Sequence, residues 1–172
     1  HDRPVDILHD GFDCVIRTGA LPENGVIARP LGKLTMVNCA SPHYLTRFGY
    51  PQSPDDLTSH AIVRYTPHLG VHPLGFEVAS VNGVQWFKSG GMLTVNSREN
   101  YLAAGLAGLG IIQIPRIAVR EALRAGRLIE VLPGYRAEPL SLSLVYPQRR
   151  ELSRRVNLFM QWLAGVMKEH LD

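Results

Sequence analysis

The stretch LAAGLAGLGIIQIP, Leu102 to Pro115, sets Gly105, Gly108 and Gly110 among apolar side chains. Glycines grouped in this way cradle a phosphate when their backbone N–H groups face the anion at the start of a helix. That chemistry requires the order strand, glycines, helix. Here the order runs the other way. Asn96 and Glu99 have the spacing of a capping box, so a helix is expected from near Ser97 through YLAAGLAG, and the β-branched run IIQI follows it. The glycines therefore fall at a helix C-terminus, where the dipole is negative. Gly108 or Gly110 suits a left-handed C-cap, and Gly105 permits close packing inside the helix. These residues read as structural.

Other groupings with reactive potential are sparse. No GxSxG, HExxH, SxxK or CxxC is present. His68 and His72 in HLGVH are four apart, but Gly70 and Pro73 oppose a helix there, and no acid or thiol stands beside them. A surface loop is expected rather than a zinc site. The acids are scattered, and Ser97 has no base attached to it in sequence, so it reads as a helix cap. No catalytic residue, metal or cofactor is expected. Cys14 in DCVIR and Cys39 in MVNCA are too few for a disulfide framework. They read as buried free thiols, which favours a reducing cytoplasm.

The elements that must position these groups lie in 172 residues, 45% of them hydrophobic, enough for one sizeable core or two small ones. Charged residues are 19% and no low-complexity tail is present, which excludes a disordered chain. A net charge of +3 without a dense basic stripe gives no nucleic-acid-binding face. The opening HDRPVDILHD is too charged for a signal peptide, although a processed exported chain would lack one as well. The apolar stretch flanked by Glu99 and Arg116 falls short of the ~20 residues that a membrane span needs.

Apolar runs alternate with helical patterns, the mark of an α/β protein. FDCVIRTG predicts a short buried strand ending in a turn, and GKLTMVNCASP a second over Leu34–Ala40. Ser41-Pro42 supplies an N-cap and a first-turn proline for a short helix, HYLTRF, that stops at Gly49. Ser53-Pro54-Asp55-Asp56 repeats the start signal. AIVRY, VQWFK and MLTVN predict strands, with Gly90-Gly91 as a hairpin turn between the last two. PRIAVREALRAG predicts a helix capped by Gly126, and LIEVL and LSLSLVY predict strands. In the last helix Val156, Phe159, Met160, Leu163, Val166, Met167 and Leu171 form one apolar face, while Arg154, Gln161, Lys168 and Glu169 lie away from it.

Three landmarks now stand in order: the segment from VDILHDGFDCVIRTG to CASPHYLTRFGYPQSPDDLTSH, the segment VNSRENYLAAGLAGLGIIQIPRIAVREALRAGRLIEVLP, and the closing LSLSLVYPQRRELSRRVNLFMQWL. Together they resemble the effector-binding domain of a LysR-type transcriptional regulator, over nearly the whole chain and most weakly from His68 to Gln85. The resemblance implies a fold like the type II periplasmic binding proteins, with two α/β subdomains joined by two crossover strands near Thr35–Ala40 and Leu140–Val145. Subdomain I is then residues 1–40 and 141–172, and subdomain II residues 41–140. It further implies a helix-turn-helix, a linker helix and a first strand and helix of subdomain I ahead of the position of Val5. Their absence here leads to the expectation that the chain is a fragment with an incomplete subdomain I.

In this architecture an effector binds between the subdomains. Strand ends are the usual ligand positions of open α/β sheets, and here they are Arg17, Thr18, Gly19, Asn38, Ala40, Ser41, Arg64, Gln113 and Pro115. Asn96, Ser97 and Arg98 add a helix start with free N–H groups suited to an anion. Structural alternatives stand beside these: an ion pair for Arg17, backbone satisfaction by Asn38, an ordinary strand position for Gln113. The resemblance implies a sensor and oligomerisation domain, not an enzyme, that takes a small effector and shifts a conformational equilibrium; the arginines and the helix start point to an anion such as a carboxylate. It implies a homodimer, or a tetramer in the full-length protein, and contact with DNA only through the segment ahead of this one. No membrane partner is expected. A transporter's solute-binding protein is the alternative within the fold class, and a small hydrolase or transferase lacks its signature.

Overall fold

The structure, a computed structural model, describes residues 6–19, 25–66, 75–148, 152–168 and 171. His68, His72 and Glu169, singled out above, lie outside them. The elements in order are β1 Val15–Thr18, β2 Val26–Leu34, β3 Met36–Ala40, α1 Pro42–Phe48, a 3-10 helix Pro54–Ser59, β4 Ala61–Tyr65, β5 Phe76–Ser80, β6 Gly83–Phe87, β7 Gly90–Val95, α2 Arg98–Leu106, β8 Ile112–Pro115, α3 Arg116–Arg124, β9 Ile129–Glu130, β10 Leu140–Pro147 and α4 Arg154–Lys168. They divide into two compact units, one over Met36–Glu138, the other over Pro4–Thr35 and Pro139–Asp172. The chain passes from one to the other at Thr35–Met36 and at Glu138–Pro139.

In the Met36–Glu138 unit, β3 lies between β8 and β9, antiparallel to both, and β4 pairs in parallel with β7. A parallel bridge from Ile62 to Ile111 joins the two groups. Successive residues of these strands point to opposite faces. Val63 and Ile112 enter a cluster with Val37, Cys39, Tyr101, Ile114, Val119 and Leu128, packed under α2 and α3. Their neighbours Ile62 and Ile111 enter a second cluster with Tyr44, Leu45, Leu57, Phe76 and Val131. Burial on both faces explains why MVNCA is apolar with little alternation; all five residues of β3 are buried.

The cap chemistry fixes the helix limits. Ser41 accepts a hydrogen bond from Tyr44 N–H at the start of α1, and Gly49 at φ 81° ends it. α2 ends in a Schellman motif: Gly108 stands at φ 77°, its N–H donates to Gly105 O, and Leu109 N–H donates to Ala104 O. α3 repeats that arrangement with Gly126, whose N–H donates to Leu123 O while Arg127 N–H donates to Ala122 O. Gly110 permits close approach, since a Cβ there would stand 2.6 Å from Ala61 O, where Ile111 N–H docks. The glycines of the opening stretch thus terminate a helix and seat a strand.

In the other unit, β10 lies between β1 and β2, antiparallel to both. α4 accompanies β2, and Leu171 packs where a side chain on Gly32 would collide.

Five expectations need correction. The strand expected over Leu34–Ala40 is two elements, since Leu34 ends β2 and β3 starts at Met36; β2, nine residues long and holding Pro30 and Gly32, was not foreseen. Its register shift opposite Leu142/Ser143 absorbs them, as a bulge absorbs residues that a regular ladder cannot. Gly90-Gly91 is no hairpin turn: both pair with β4, opposite Ala61 and Ile62. The hairpin is β5–β6, closed at Val81-Asn82 with Gly83 at φ 105°. The N-cap of α2 is Ser97, which accepts from Asn100 N–H, so Asn96 and Glu99 form no capping box. Cys39 is fully buried, but Cys14, just ahead of β1, is only half-buried; both are free thiols. Among the expected apolar residues of α4, Met160 is buried, whereas Phe159 is exposed and stacks beside exposed Trp162.

Candidate functional site

The sequence candidates fall into two groups. Arg17, Thr18 and Gly19 belong to β1 and its end in the smaller unit. Arg17 pairs across the ladder with Ser143 and Thr18 with Leu142. Gly19 at φ 77° turns the chain, and its N–H donates to Ser141 O at 3.0 Å. All the others lie in the Met36–Glu138 unit.

There Asn38 and Gln113 meet. They are opposite each other across the β3–β8 ladder, and Gln113 Nε2 donates to Asn38 Oδ1 at 3.0 Å. The Gln113 amide also brackets β5, donating to Glu77 O at 2.6 Å and accepting from Glu77 N–H at 3.0 Å. Asn38 Nδ2 donates to Leu132 O at 3.2 Å and to Tyr135 O at 2.8 Å. Leu132 adopts φ 48°, a left-handed conformation costly for a branched side chain, and the amide of Asn38 helps hold it there. Asn38 is fully buried and both its amide hydrogens are committed within the protein. Its place is at the centre of a scaffold binding β3, β5, β8 and the 131–135 loop.

Sequence reading missed the third member, Tyr101. Its hydroxyl accepts from Gln113 N–H at 2.8 Å and donates to Gln113 O at 3.2 Å, spanning the residue from α2. Burial pushes that phenol well above the ordinary tyrosine value, so it remains a neutral donor. Its place in the first turn of the expected helix gave no signal of a partner on the following strand.

Ser41 and Ser97 are both buried and both cap helices. Ala40 is fully buried beside Ser41. A Cβ on Gly108 would stand 3.0 Å from Ser41 Oγ, so the glycine corner of α2 rests on the start of α1. Ser97 Oγ donates to Glu99 Oε2 at 2.6 Å, which places a carboxylate of the chain itself at the positive end of α2. Asn96 is half-buried and Arg98 exposed at that end, and Pro115 is half-buried at the N-cap of α3. Arg64 is half-buried in β4, and its guanidinium turns back over Gly91 to donate from Nη2 to Ser89 O at 3.0 Å.

Two charged or titratable groups were not foreseen. Glu130 accepts from Arg116 Nη2 at 2.7 Å and from Arg136 Nη2 at 2.6 Å, clamping β9 between α3 and the 131–138 segment. His60 is buried with Nδ1 3.0 Å from the Tyr44 hydroxyl, which also accepts from Ala61 N–H. Burial holds His60 below its ordinary value, with Asp56 pulling the other way. Burial likewise pushes the Cys39 thiol up to about 12, with Glu130 adding to the effect, so Cys39 carries no reactive thiolate.

Layered strands with their helices in one unit, and a second α/β unit reached by two chain passages, define the class: a ligand-binding-type domain with a type II periplasmic-binding-protein-like fold. The LysR substrate binding domain model matches residues 1–168. Over its full length the chain is 98% identical to the HTH-type transcriptional regulator YhjC of Escherichia coli (strain K12), of which it covers 58%. It is 31% identical over 95% of its length to the HTH-type transcriptional activator AaeR of Escherichia coli (strain K12), covering 52% of that protein. The regulatory domain of CrgA, a LysR-type regulator of Neisseria meningitidis, superposes with a TM-score of 0.82 at 24% identity, over 96% of this chain and 80% of that one. The chain belongs to the LysR substrate-binding domain family, and it spans little more than half the length of these curated relatives. No helix among the described residues is long and apolar enough to cross a membrane.

Proposed function

We propose that this chain is the effector-sensing and oligomerisation domain of a LysR-type transcriptional regulator. A small molecule that prefers one conformation of the domain shifts its population, and the shift alters DNA binding through a helix-turn-helix elsewhere in the full-length protein. The family match over residues 1–168, in a chain whose 98%-identical relative is named an HTH-type regulator, carries this reading. Within this reading the candidates divide their labour. Asn38, Ala40 and Gln113 shape the Met36–Glu138 unit. Arg17, Thr18, Gly19, Ser41, Arg64, Asn96, Ser97, Arg98 and Pro115 supply effector contacts. The assembly is a homodimer, or a tetramer when full-length, working in the cytoplasm without catalysis.

The test uses the full-length regulator beside the 172-residue chain. A library of small metabolites is screened for compounds that raise the chain's melting temperature. The expected result is a compound that stabilises the chain, is recovered chemically unchanged, and alters the full-length regulator's affinity for its operator. The chain alone is expected to show no sequence preference on DNA. A sequence-preferring affinity near the ~10⁻⁸ M of specific binders, or turnover of the stabilising compound, overturns the reading.

A further inference from the structure

We propose that Arg64, with Ser89 and Gly91, forms a docking point for a small carboxylate in the Met36–Glu138 unit. The inference deepens the effector-sensing reading and rests on it. It starts from a hydrogen-bond account that does not close. A guanidinium carries five N–H donors and a permanent positive charge. Arg64 uses one donor, from Nη2 to Ser89 O. Its Nε is sealed from solvent without an acceptor, and so is Ser89 Oγ, the next polar atom on the residue that holds the arginine. These are the two buried side-chain polar atoms without a partner among the described residues. They occur on one hydrogen-bonded pair, and buried polar groups left so call for a missing ligand, ion or water.

The charge account is also open. Arg116, Arg124 and Arg136 each meet a carboxylate within 3.0 Å. Arg64 is half-buried, and among the described residues no carboxylate forms an ion pair with it. A charge taken partly out of water without a counter-ion is costly. The backbone beneath is shaped for the guanidinium. A Cβ on Gly91 would stand 2.7 Å from Arg64 Cζ and 2.8 Å from Nε, so no other residue at that position of β7 lets the planar group lie across the strand. Glycine weakens a strand interior, and its presence there fits a close approach.

The guanidinium N–H groups left over can only donate, and the Ser89 hydroxyl, which can also accept, is able to donate beside them. A ligand with two acceptor oxygens in one plane satisfies both kinds at once, the geometry in which guanidinium and carboxylate match. A single uncompensated positive charge selects a monoanion over a phosphate dianion. Exposed Lys88, next to Ser89, adds attraction at longer range.

The test follows arginine Nε–H resonances of the 15N-labelled 172-residue chain while sodium acetate is added, with sodium sulfate and sodium chloride as parallel arms at matched ionic strength. The Arg64 resonance is identified by its loss in Arg64→Lys, or by its displacement in Ser89→Ala if the lysine variant does not fold. The expected result is a saturable shift of that resonance with acetate at millimolar concentration, and at least a five-fold weaker half-saturation in Ser89→Ala. Chloride should cause only the small linear drift that the surface arginines share. An Arg64 resonance that merely drifts with the others overturns the proposal. So does tighter saturation by sulfate, which would make the locus a general oxyanion trap. A flat acetate titration in a chain that another compound stabilises removes this docking point and leaves the sensing reading standing.

Discussion

The two units handle apolar surface differently. Both buried hydrophobic clusters lie wholly within Met36–Glu138, where strands are covered on both faces. Among the described residues of the other unit the buried hydrophobic set is short: Ile7, Leu34, Leu142, Leu144, Val145 and Met160. Leu8, Phe12, Ile16, Ile27, Leu158, Phe159 and Trp162 stand exposed there. The larger unit also carries the cross-element polar bonds of Asn38, Gln113 and Tyr101, while the described residues of the smaller form the β1–β10–β2 ladder and α4. The difference teaches that one chain can hold a densely cored platform and a lighter partner, while exposed large hydrophobics such as Tyr50, Trp86 and Trp162 occur on both.

Removing a core anchor should produce the largest effect. Phe76 is 1% exposed and ties the β5–β6 hairpin to the second cluster. Phe76→Ala is expected to cost about 3–5 kcal/mol in urea unfolding, the range for buried aromatics. Phe159→Ala, on the exposed face of α4, is expected to stay within about 0.5 kcal/mol. A comparable loss in both variants would break the contrast between the units.

The polar scaffold comes next. Gln113→Leu strands Glu77 N–H and Glu77 O and leaves Asn38 Oδ1 without its donor. A loss of about 2–3 kcal/mol is expected by the same unfolding measurement, since a stranded buried polar group costs about 1–3 kcal/mol. Stability equal to the parent would show that the scaffold is dispensable.

His60 sharpens the comparison through pH. Its proton affinity is lower in the folded state, so the unfolded chain binds the proton more readily. The contribution of His60 is therefore present above its unfolded pKa, near 6.5, and is lost as pH falls through the lower folded value. Unfolding free energies measured from pH 7.5 down to 5 should decline more steeply in the parent than in His60→Asn. Equal slopes would exclude the histidine as the source.

The cap of α2 gives the smallest effect. Ser97→Ala should cost about 1 kcal/mol, the usual value for an N-cap, and Asn96→Ala much less. The reverse order would restore Asn96 as the cap.

This ordering also marks what the sequence made legible. Caps and stops are short-range chemistry, so Ser41, Gly49, Ser97 and Gly126 bounded α1, α2 and α3 correctly. Strand partnership is not local. Gly90-Gly91 looked like a turn because glycine pairs usually are, yet β7 pairs in parallel with β4, on the far side of the β5–β6 hairpin in sequence. The true hairpin had its signal in Asn82-Gly83. β2 was hidden by Pro30 and Gly32, which only a bulge reconciles with a ladder. For the candidate site, Asn38 and Gln113 were singled out, but their mutual contact spans 75 positions, so the scaffold they form was not legible in the sequence. Tyr101 escaped because its hydroxyl acts on a residue twelve positions away. Arg64 was legible as an arginine at a strand end, but its unmatched donors appear only once Ser89 and Gly91 are beside it.

Native-state hydrogen exchange on the 172-residue chain tests the platform-and-partner account most directly. The account predicts the slowest exchange for amides of Val37, Asn38, Cys39, Ile112 and Ile114, with faster exchange through β1 and α4. Equal protection in β1, α4 and the β3–β8 pair, or slower exchange in β1, would contradict it.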